Sequence, residues 1–403
     1  MKIRENTTSY IDTHGDIYKQ IALDIHAQPE VSNFEFFACN RLSGQLKAEG
    51  FDVTIDVAGH RTGFIASYRS KSNKPNATLV LLAEYDALPG LGHGCGHNLF
   101  GATSLLAAVA LKSAVDELGG EIRVYGTPGE EGGENGSAKG SFVREGLFCD
   151  VDAALCVHPV AEKHILTRKS LACAPVDIEF WGKPAHAASA PEKGINALDA
   201  LLSVYHSINA LRQHLTADVR IHGIITKGGQ APNIVPDYAA AKFYFRAATA
   251  ETLEEVYQKV QRIVEGAALS TGAKGRLAPY QNRVENTIPT PSFDALYEKN
   301  LNKLGQKITP LDEIEKKNLA TGSTDVGNVS HVIPAIQPCI SISDLKIAGH
   351  SEEMKAAAKS EKGLSSIVLG AKALALTAID LLEDGEVLAK IKAEHKSLLH
   401  EGA

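Results

Sequence analysis

Residues 81–101 read L-L-A-E-Y-D-A-L-P-G-L-G-H-G-C-G-H-N-L-F-G, and this stretch decides how the rest of the chain is understood. It continues the apolar run 79–82, which is typical of a buried strand in a parallel sheet. The glycines at positions 90, 92, 94 and 96 let the backbone take positive φ, so the turn can direct Cys95 and His97 towards one point. Ligands of α/β proteins bind just beyond the ends of central strands. The stretch therefore predicts a strand followed by a turn in which Cys95 and His97 either pack in the core or bind metal, and the adjoining acids Glu84 and Asp86 with two later segments favour metal.

Composition limits the classes to which the protein can belong. A chain of 403 residues with 44% hydrophobic residues can bury a large core, and its length favours two domains. Its 35 glycines and its alternating strand and helix patterns favour an α/β enzyme over a helical bundle. A formal net charge of -7, without a basic stripe, argues against nucleic acids and anionic membranes as partners.

The first residues, the apolar runs and the cysteines together indicate the expected compartment. The first residues, M-K-I-R-E-N-T-T-S-Y, have no apolar core of signal-peptide length, and no uninterrupted apolar run approaches the roughly 20 residues of a spanning helix. The six cysteines are scattered, which predicts reduced thiols rather than a disulfide framework. We therefore expect a cytoplasmic protein.

Three predicted strands end in polar side chains. The strand over 78–85 carries Glu84 and is followed by Asp86, the strand over 121–125 leads to Glu130 and Glu131, and the strand over 151–157 precedes His158. Because the carboxyl ends of parallel strands meet at one edge of a sheet, we expect these groups to lie close together. A later loop contributes His350, which precedes a predicted apolar-faced helix over 363–382.

Two helices are predicted before the first strand. One covers about 16–26, and the other begins at a capping box formed by Ser32 and Glu35 and runs to Gly50. At the other end of the chain, the charged tail after Glu383 is expected to form a solvated helix.

The segment 169–284 has a different pattern and forms a predicted domain of its own. Its elements follow the order βαββαβ of the split-βαβ, ferredoxin-like sandwich. The predicted ranges are 174–180, 195–215, 219–225, 238–245, 253–268 and 275–280. This domain interrupts the first, which comprises residues 1–168 and 285–403.

The polar residues match the chemistry of a metal hydrolase. Thiolate, imidazole and carboxylate together suit zinc, with manganese or cobalt as alternatives. The candidate ligands, named at the end of this paragraph, number five, which is more than one tetrahedral catalytic ion binds. Two ions that share Cys95 as a bridge would use all five. Two such ions can bind a carbonyl oxygen and activate a water, and the adjacent Glu130 is then free to move the proton to a leaving amine. The candidate ligands are Cys95, His97, Glu131, His158 and His350.

These residues lie in motifs that resemble the co-catalytic metal amidohydrolases and peptidases of family M20, which include aminoacylase, carboxypeptidase G and bacterial dipeptidases. The chain is most similar to the subgroup that contains p-aminobenzoyl-glutamate hydrolase and β-alanyl-lysine dipeptidase. The matching motifs span almost the whole chain. They are A-E-Y-D-A-L-P (83–89), G-H-G-C-G-H-N (92–98), P-G-E-E-G-G-E-N-G-S-A-K (128–139), V-H-P (157–159), G-K-P-A-H-A (182–187), A-P-N-I-V-P-D-Y (231–238), G-S-T-D-V-G (322–327) and G-H-S (349–351).

The resemblance implies a zinc-peptidase-like catalytic domain with a central mixed, mostly parallel sheet, and it makes the inserted domain a lid and dimerisation domain. The same five ligands would hold the metal pair, with Glu130 as general base. His186 would polarise the scissile carbonyl in a neighbouring subunit, while Asn233 and Arg246 would hold substrate, Arg246 through a carboxylate. Many relatives have histidine where Glu84 stands, so ligand duty has shifted to the C-G-H segment, and Asp86 would orient His97.

The resemblance also implies a homo-oligomer, a dimer or tetramer, that cleaves short peptides or N-acyl amino acids. Dipeptidase, aminobenzoyl-glutamate hydrolase and N-acetyl amino acid deacylase remain alternatives at this point. A nucleotide-binding oxidoreductase is a different class, but no window of residues 90–101 fits G-x-G-x-x-G. A third possible class is a non-catalytic scaffold that has kept the fold of the enzyme family.

Overall fold

The computed structural model describes residues 2–71, 74–310 and 322–401. The chain divides into two compact units. We call residues 1–169 and 287–403 the discontinuous unit, and residues 170–286 the inserted unit. The predicted junctions were 168/169 and 284/285. Residues 311–321 lie outside the described part of the chain.

A six-stranded sheet organises the discontinuous unit. Its strands are β1 (Asp52–Val57), β2 (His60–Arg69), β3 (Thr78–Ala83), β4 (Glu121–Gly126), β5 (Ala153–Leu155) and β11 (Ala335–Ile336). Their order is β1-β2-β4-β3-β5-β11, in which β4, β3, β5 and β11 run parallel while β1 and β2 pair antiparallel. This confirms the predicted mixed, mostly parallel sheet. A separate pair of strands, β6 (His158–Val160) and β12 (Cys339–Ser341), is also parallel.

Helices cover this sheet, and three of them form the centre of the larger core. These are Lys2–Ala27, His97–Ala110 and Glu361–Glu383, which contact one another along their apolar faces. The first begins 14 residues before the predicted start at residue 16, because Ile3, Thr7 and Ile11 continue its core-facing side. The others in the described part of this unit are Phe36–Ala48, Lys112–Leu118, Ala138–Arg144, Pro291–Lys303, Val326–Ser330, Glu352–Ala357 and Gly385–Glu401.

Two sequence expectations for these helices were wrong. The C-terminal helix Gly385–Glu401 is not simply solvated, because Leu388 and Ile391 are buried in the core. The capping box also fails: Glu35 makes no capping hydrogen bond at the start of Phe36–Ala48. The carboxylate of Glu30 takes that place and accepts from the backbone N–H groups of Phe37 and Ala38, at 3.0 and 3.1 Å.

The inserted unit has the predicted βαββαβ order. Its elements are β7 (Ala172–Trp181), the helix Ala197–Leu211, β8 (Arg220–Lys227), β9 (Tyr238–Ala247), the helix Ala250–Thr271 and β10 (Lys274–Pro279). The sheet order is β10-β7-β9-β8, and all its pairings are antiparallel. Phe180, Phe243 and Phe245 form a separate core with both helices.

Two helical segments have the length and mean hydropathy of a membrane span, although neither is an uninterrupted apolar run. They are His97–Leu118 and Glu361–Glu383. Their most apolar windows are 89% and 72% buried inside the protein, as core helices of a folded domain are.

Candidate metal centre and active site

A tight turn after β3 presents Cys95 and His97. Gly96 adopts φ 83°, and a Cβ on it would lie 2.8 Å from Pro159 Cγ, so both its backbone and its surroundings require glycine. The helix His97–Ala110 begins immediately afterwards, which places His97 in its first turn. Gly94 does not take the predicted positive φ. It is needed because a Cβ there would lie 2.5 Å from the Leu91 side chain.

Asp86 fixes the orientation of His97. The carboxylate oxygen Oδ1 of Asp86 lies 2.9 Å from Nδ1 of His97, and both side chains are buried. Because a carboxylate can only accept, Nδ1 carries the proton and Nε2 faces the rest of the site. Burial alone would raise the pKa of Asp86, but the interaction with His97 lowers it below the usual value.

The loop after β4 separates its two acidic side chains. Oε2 of Glu131 lies 3.4 Å from Nε2 of His350, whereas Oε2 of Glu130 lies 3.9 Å from Nε2 of His97. Asp86 also holds this loop, because its Oδ2 accepts from the N–H of Glu131 at 2.9 Å. Burial, followed by the nearby Glu84 and Glu131, raises the pKa of Glu130 well above its usual value. The two glutamates therefore point to different parts of the site.

His158 approaches the thiol of Cys95 from β6. Its Nε2 lies 3.5 Å from Sγ of Cys95, and its Nδ1 lies 2.7 Å from the carbonyl oxygen of Pro159. The carbonyl can only accept, so Nδ1 carries the proton and Nε2 has a lone pair directed at the sulfur. Burial and the neighbouring His97 lower the pKa of His158 to about 4, which keeps the imidazole neutral.

These ligand atoms form two groups that share one atom. Within each group, all ligand atoms lie within 4.8 Å of one another. The first contains Cys95, His97 and His158, and the second contains Cys95, Glu131 and His350. The structure thus brings together all five ligands that the sequence predicted, with Sγ of Cys95 common to both groups.

The donor atoms suit metal ions. Among the described residues, Oε1 of Glu131 is buried without a hydrogen-bond partner, and Nε2 of His97 is buried 3.2 Å from a carboxylate oxygen of Glu84. Such atoms are costly to bury unless a cation or a donor satisfies them. A thiolate, neutral imidazoles and a carboxylate are the ligand types that zinc and related ions bind. The residues present therefore fit a metal pair.

A buried charged group, which the sequence did not predict, lies beside the ligands. Nζ of Lys139 is 2.8 Å from Glu84 Oε1 and 2.5 Å from Asp325 Oδ1, and none of the three side chains is exposed. The other oxygen of Glu84 lies 3.2 Å from Nε2 of His97, and Glu84, His97 and Glu130 form a third cluster of potential ligand atoms. The motifs contained both Lys139 and Asp325, but their spacing of 186 residues gave no sign that they meet.

The inserted unit holds the three remaining predicted residues, in two places. His186 and Asn233 are neighbours: the backbone of His186 bridges to Ile234, and the N–H of Ala187 donates to the carbonyl of Asn233 at 3.0 Å. Arg246 lies towards the far end of β9, opposite Cys173 and Arg220, with its guanidinium 5.3 Å from the Tyr244 ring.

The distance along β9 separates these two places. His186 and Asn233 lie beyond the end of β9 that begins at Tyr238, and Arg246 is eight residues further on. At about 3.3 Å per residue, that is roughly 26 Å. One copy of the inserted unit therefore does not bring His186 and Asn233 together with Arg246.

Comparison with known proteins gives consistent matches over most of the chain. Residues 168–272 match the family model of the M20 peptidase dimerisation domain. The chain is 33% identical over 405 residues to the Xaa-Arg dipeptidase of Homo sapiens, covering 97% of this chain and 91% of that protein. It is 31% identical over 462 residues to one of the subunits of p-aminobenzoyl-glutamate hydrolase from Escherichia coli (strain K12), covering 96% and 94%.

The solved structures agree on the fold. The YXEP protein of Bacillus subtilis, a dinuclear metal binding peptidase of the M20 family, superposes with a TM-score of 0.63 at 18% identity. The match covers 92% of this chain and 99% of that one.

The chain belongs to the M20 peptidase family, whose members hydrolyse peptide and other amide bonds. This confirms the resemblance, the fold class and the predicted type of enzyme. It also favours the hydrolase over the nucleotide-binding oxidoreductase, because these relatives are named as a dipeptidase, a hydrolase and a peptidase.

Proposed function

We propose that the protein hydrolyses the amide bond of a short peptide or an N-acyl amino acid with two metal ions and one general base. Cys95, His97, Glu131, His158 and His350 would hold the ions, and Glu130 would be the base. The observation that carries this proposal is the position of Cys95 Sγ, which belongs to two ligand groups at once. That arrangement is the one a bridging ligand requires.

Metal binding, proton transfer and the orientation of His97 would be performed by different residues. When bound, the ions would polarise the substrate carbonyl and make a water acidic enough to react at neutral pH. Glu130 faces His97 rather than His350, so it can take the proton from the water and pass it to the leaving amine. Asp86 keeps Nε2 of His97 directed into the site throughout.

Zinc is the proposed ion, with manganese and cobalt as alternatives, because a thiolate and three imidazoles favour borderline metals. The test is to remove metal with a chelator, titrate each ion back, and record both bound metal and hydrolysis. We expect two ions per chain and recovery of hydrolysis with zinc. Glu131→Gln should bind fewer ions, whereas Glu352→Gln, an exposed position at the start of the helix Glu352–Ala357, should bind the normal number.

The proposed substrates have a free carboxylate on the leaving amino acid, as both named relatives suggest. One is an Xaa-Arg dipeptidase and the other a p-aminobenzoyl-glutamate hydrolase. Arg246 would bind that carboxylate. A panel of Xaa-Arg dipeptides, p-aminobenzoyl-glutamate and N-acetyl amino acids, assayed with defined metal, should identify the substrate class. If the metal-loaded protein cleaves no member of the panel, the scaffold interpretation becomes the better one.

We also propose a homodimer that forms through the inserted unit. Support comes from the match of residues 168–272 to a dimerisation domain and from the separation of His186 and Asn233 from Arg246. In a dimer, His186 and Asn233 of one copy would serve the site of the other. Mixing His186→Ala with Glu130→Gln subunits should restore part of the activity that each lacks alone. If the mixture stays inactive while exchange of chains between dimers is demonstrated, His186 does not act across the dimer.

The reducing cytoplasm is the proposed compartment. All six cysteines are free, and Cys95 must remain a thiol or thiolate to bind metal. Oxidation of purified protein should therefore lower its metal content, and reduction should restore it.

A further inference from the structure

The two backbone amides on either side of Glu130 are both held by buried carboxyl groups. The N–H of Glu131 donates to Asp86 at 2.9 Å, and the N–H of Gly129 donates to Glu35 Oε1 at 3.0 Å. Asp86 is already explained by its contact with His97. Glu35 lies 94 residues before Gly129 and has no role so far.

Glu35 is itself firmly held. Its side chain is fully buried, and Oε2 lies 2.8 Å from the hydroxyl of Thr62 on β2. The carbonyl of Thr62 accepts in turn from the hydroxyl of Tyr85 at 2.5 Å. Glu35 also precedes the helix Phe36–Ala48, so its backbone cannot move freely. The group that holds Gly129 is therefore tied both to a helix and to the central sheet.

The loop that carries Glu130 depends on such contacts. Residues 127–137 contain no helix or strand, and Gly129, Gly132, Gly133, Asn135 and Ser137 all have positive φ. A chain of this kind has little conformational preference of its own.

Neighbours of Glu35 also touch this loop. A Cβ on Gly129 would lie 2.3 Å from Ser32 Oγ, so Ser32 packs directly against it. The side-chain amide of Asn33 donates to the carbonyls of Glu134 and Asn135, at 3.0 and 2.8 Å. The segment 32–35 thus packs along the loop, and within it Glu35 binds the N–H of Gly129, the residue before Glu130.

We propose that Glu35 is a positioning residue that fixes the general base by holding the amide of Gly129. This inference rests on the proposed function, in which Glu130 moves the proton. General-base catalysis requires the base within hydrogen-bond reach of the water, and a displacement of about 1 Å can cost about 100-fold in rate. Among the described residues, the side chain of Glu35 hydrogen-bonds to Thr62 and to the N–H of Gly129, neither of which is a proposed metal ligand.

The chemistry of Glu35 provides a conservative variant. Burial, followed by the charge of Asp86, raises the pKa of Glu35 to about 8, so the group can be a neutral acid at pH 7. Glu35→Gln has the same shape and keeps a carbonyl oxygen for the N–H of Gly129. Glu35→Leu is of similar size but removes the acceptor.

Glu30 offers a matched control. It lies in the same segment and also accepts two backbone N–H groups, but those belong to Phe37 and Ala38 rather than to the loop. Glu30→Leu should lower stability through the helix start and leave kcat unchanged. The experiment compares wild type, Glu35→Leu, Glu35→Gln and Glu30→Leu for kcat, KM, bound metal and amide exchange of the peptide 127–137.

We expect Glu35→Leu to lower kcat about 10- to 100-fold. Its KM and bound metal should stay unchanged, and exchange of the peptide 127–137 should become faster. Glu35→Gln should restore kcat and slow exchange. If Glu35→Leu does not fold, Glu35→Asp replaces it, because its shortened side chain keeps the carboxyl group but no longer reaches Gly129.

The inference is overturned if Glu35→Leu, or Glu35→Asp in its place, keeps full kcat, or if Glu30→Leu lowers kcat equally. Failure of the proposed function gives a different result: wild type would be inactive, or Glu130→Gln would be fully active. In that case the exchange data still report whether Glu35 holds the loop.

Discussion

The two units of the molecule use their functional side chains in different ways. The discontinuous unit gathers residues as distant in sequence as Glu84 and His350 into neighbouring clusters of a few ångströms. The inserted unit instead separates His186 and Asn233 from Arg246 along a whole strand. The first arrangement forms a site within one chain, whereas the second suits residues that serve different sites. The separation is what the proposed homodimer would require, in which His186 and Asn233 serve a different site from Arg246.

The units also differ in how they use charge. Beside the metal centre, Lys139 is fully buried between Glu84 and Asp325. On the inserted unit, Arg276 and Glu179 form a pair in which the arginine side chain is 58% exposed. Buried charges are costly to leave unpaired, whereas exposed pairs contribute little. Four predictions test these differences between the two units, from the largest expected effect to the smallest.

Loss of Lys139 should have the largest effect. Lys139→Met leaves two buried carboxylates without their cation, and we expect it to cost about 3–5 kcal/mol of unfolding free energy. Urea denaturation of the metal-free protein measures this as a lower midpoint. Lys372→Met, which removes a partly exposed pair with Asp12, is the control and should cost less than about 1 kcal/mol. Equal losses in the two variants would refute the contrast.

Replacement of Glu130 should abolish most of the activity without loss of metal. Glu130→Gln keeps the shape of the side chain but cannot take a proton, so kcat should fall by at least about 100-fold. Bound metal, measured by atomic emission, should be unchanged. Glu134→Gln, an exposed position in the same loop, should behave as wild type. Normal turnover in Glu130→Gln would remove Glu130 from the mechanism.

Loss of Arg246 should weaken substrate binding. We expect Arg246→Ala to raise KM about 10-fold or more, which is the effect of losing a charge-assisted hydrogen bond to a carboxylate. Arg276→Ala is the control, because Arg276 lies on the same sheet but pairs with Glu179. A substrate analogue without the carboxylate should bind both variants equally. If both variants have the same KM for the normal substrate, Arg246 has no special role.

The exposed pair on the inserted unit should have the smallest effect. Burial opposes ionisation of Glu179, but the hydroxyl of Tyr238 and the guanidinium of Arg276 lower its pKa below the usual value of 4.5. A lowered carboxyl pKa stabilises the folded state above the unfolded pKa, and this contribution is lost as pH falls through the folded one. Glu179→Gln should therefore cost less than about 1 kcal/mol at pH 7, and this cost should shrink as the pH falls below the usual carboxyl pKa. A loss that persists at pH 3 would show that packing, not charge, is responsible.

Much of the fold and of the metal centre could be predicted because the deciding signals are local. Apolar runs identified β3, β4 and β5, and parallel strands bring their ends to the same edge of the sheet. Glu84, Glu131 and His158 follow directly from those ends. The βαββαβ order of the inserted unit was equally visible in its alternating patterns.

The predictions that were wrong or missing concern contacts between residues distant in sequence. Ser32 and Glu35 have the spacing of a capping box, yet Glu35 bonds to Gly129 on another loop. A tertiary partner replaced the local one, and nothing in a window of four residues could reveal it. Lys139 and Asp325 were part of recognised motifs, but only the folded chain shows that they meet in the interior.

The insertion affects the order in which the protein can be completed. Residues 170–286 are continuous in sequence and have a separate hydrophobic core. This unit can therefore fold as soon as it has left the ribosome. The discontinuous unit must wait, because the helix Glu361–Glu383 packs on His97–Ala110 and His350 arrives just before it. During synthesis, the surface that awaits this helix stays exposed for more than 200 residues. Activity is thus acquired last, when almost the whole polypeptide has been made.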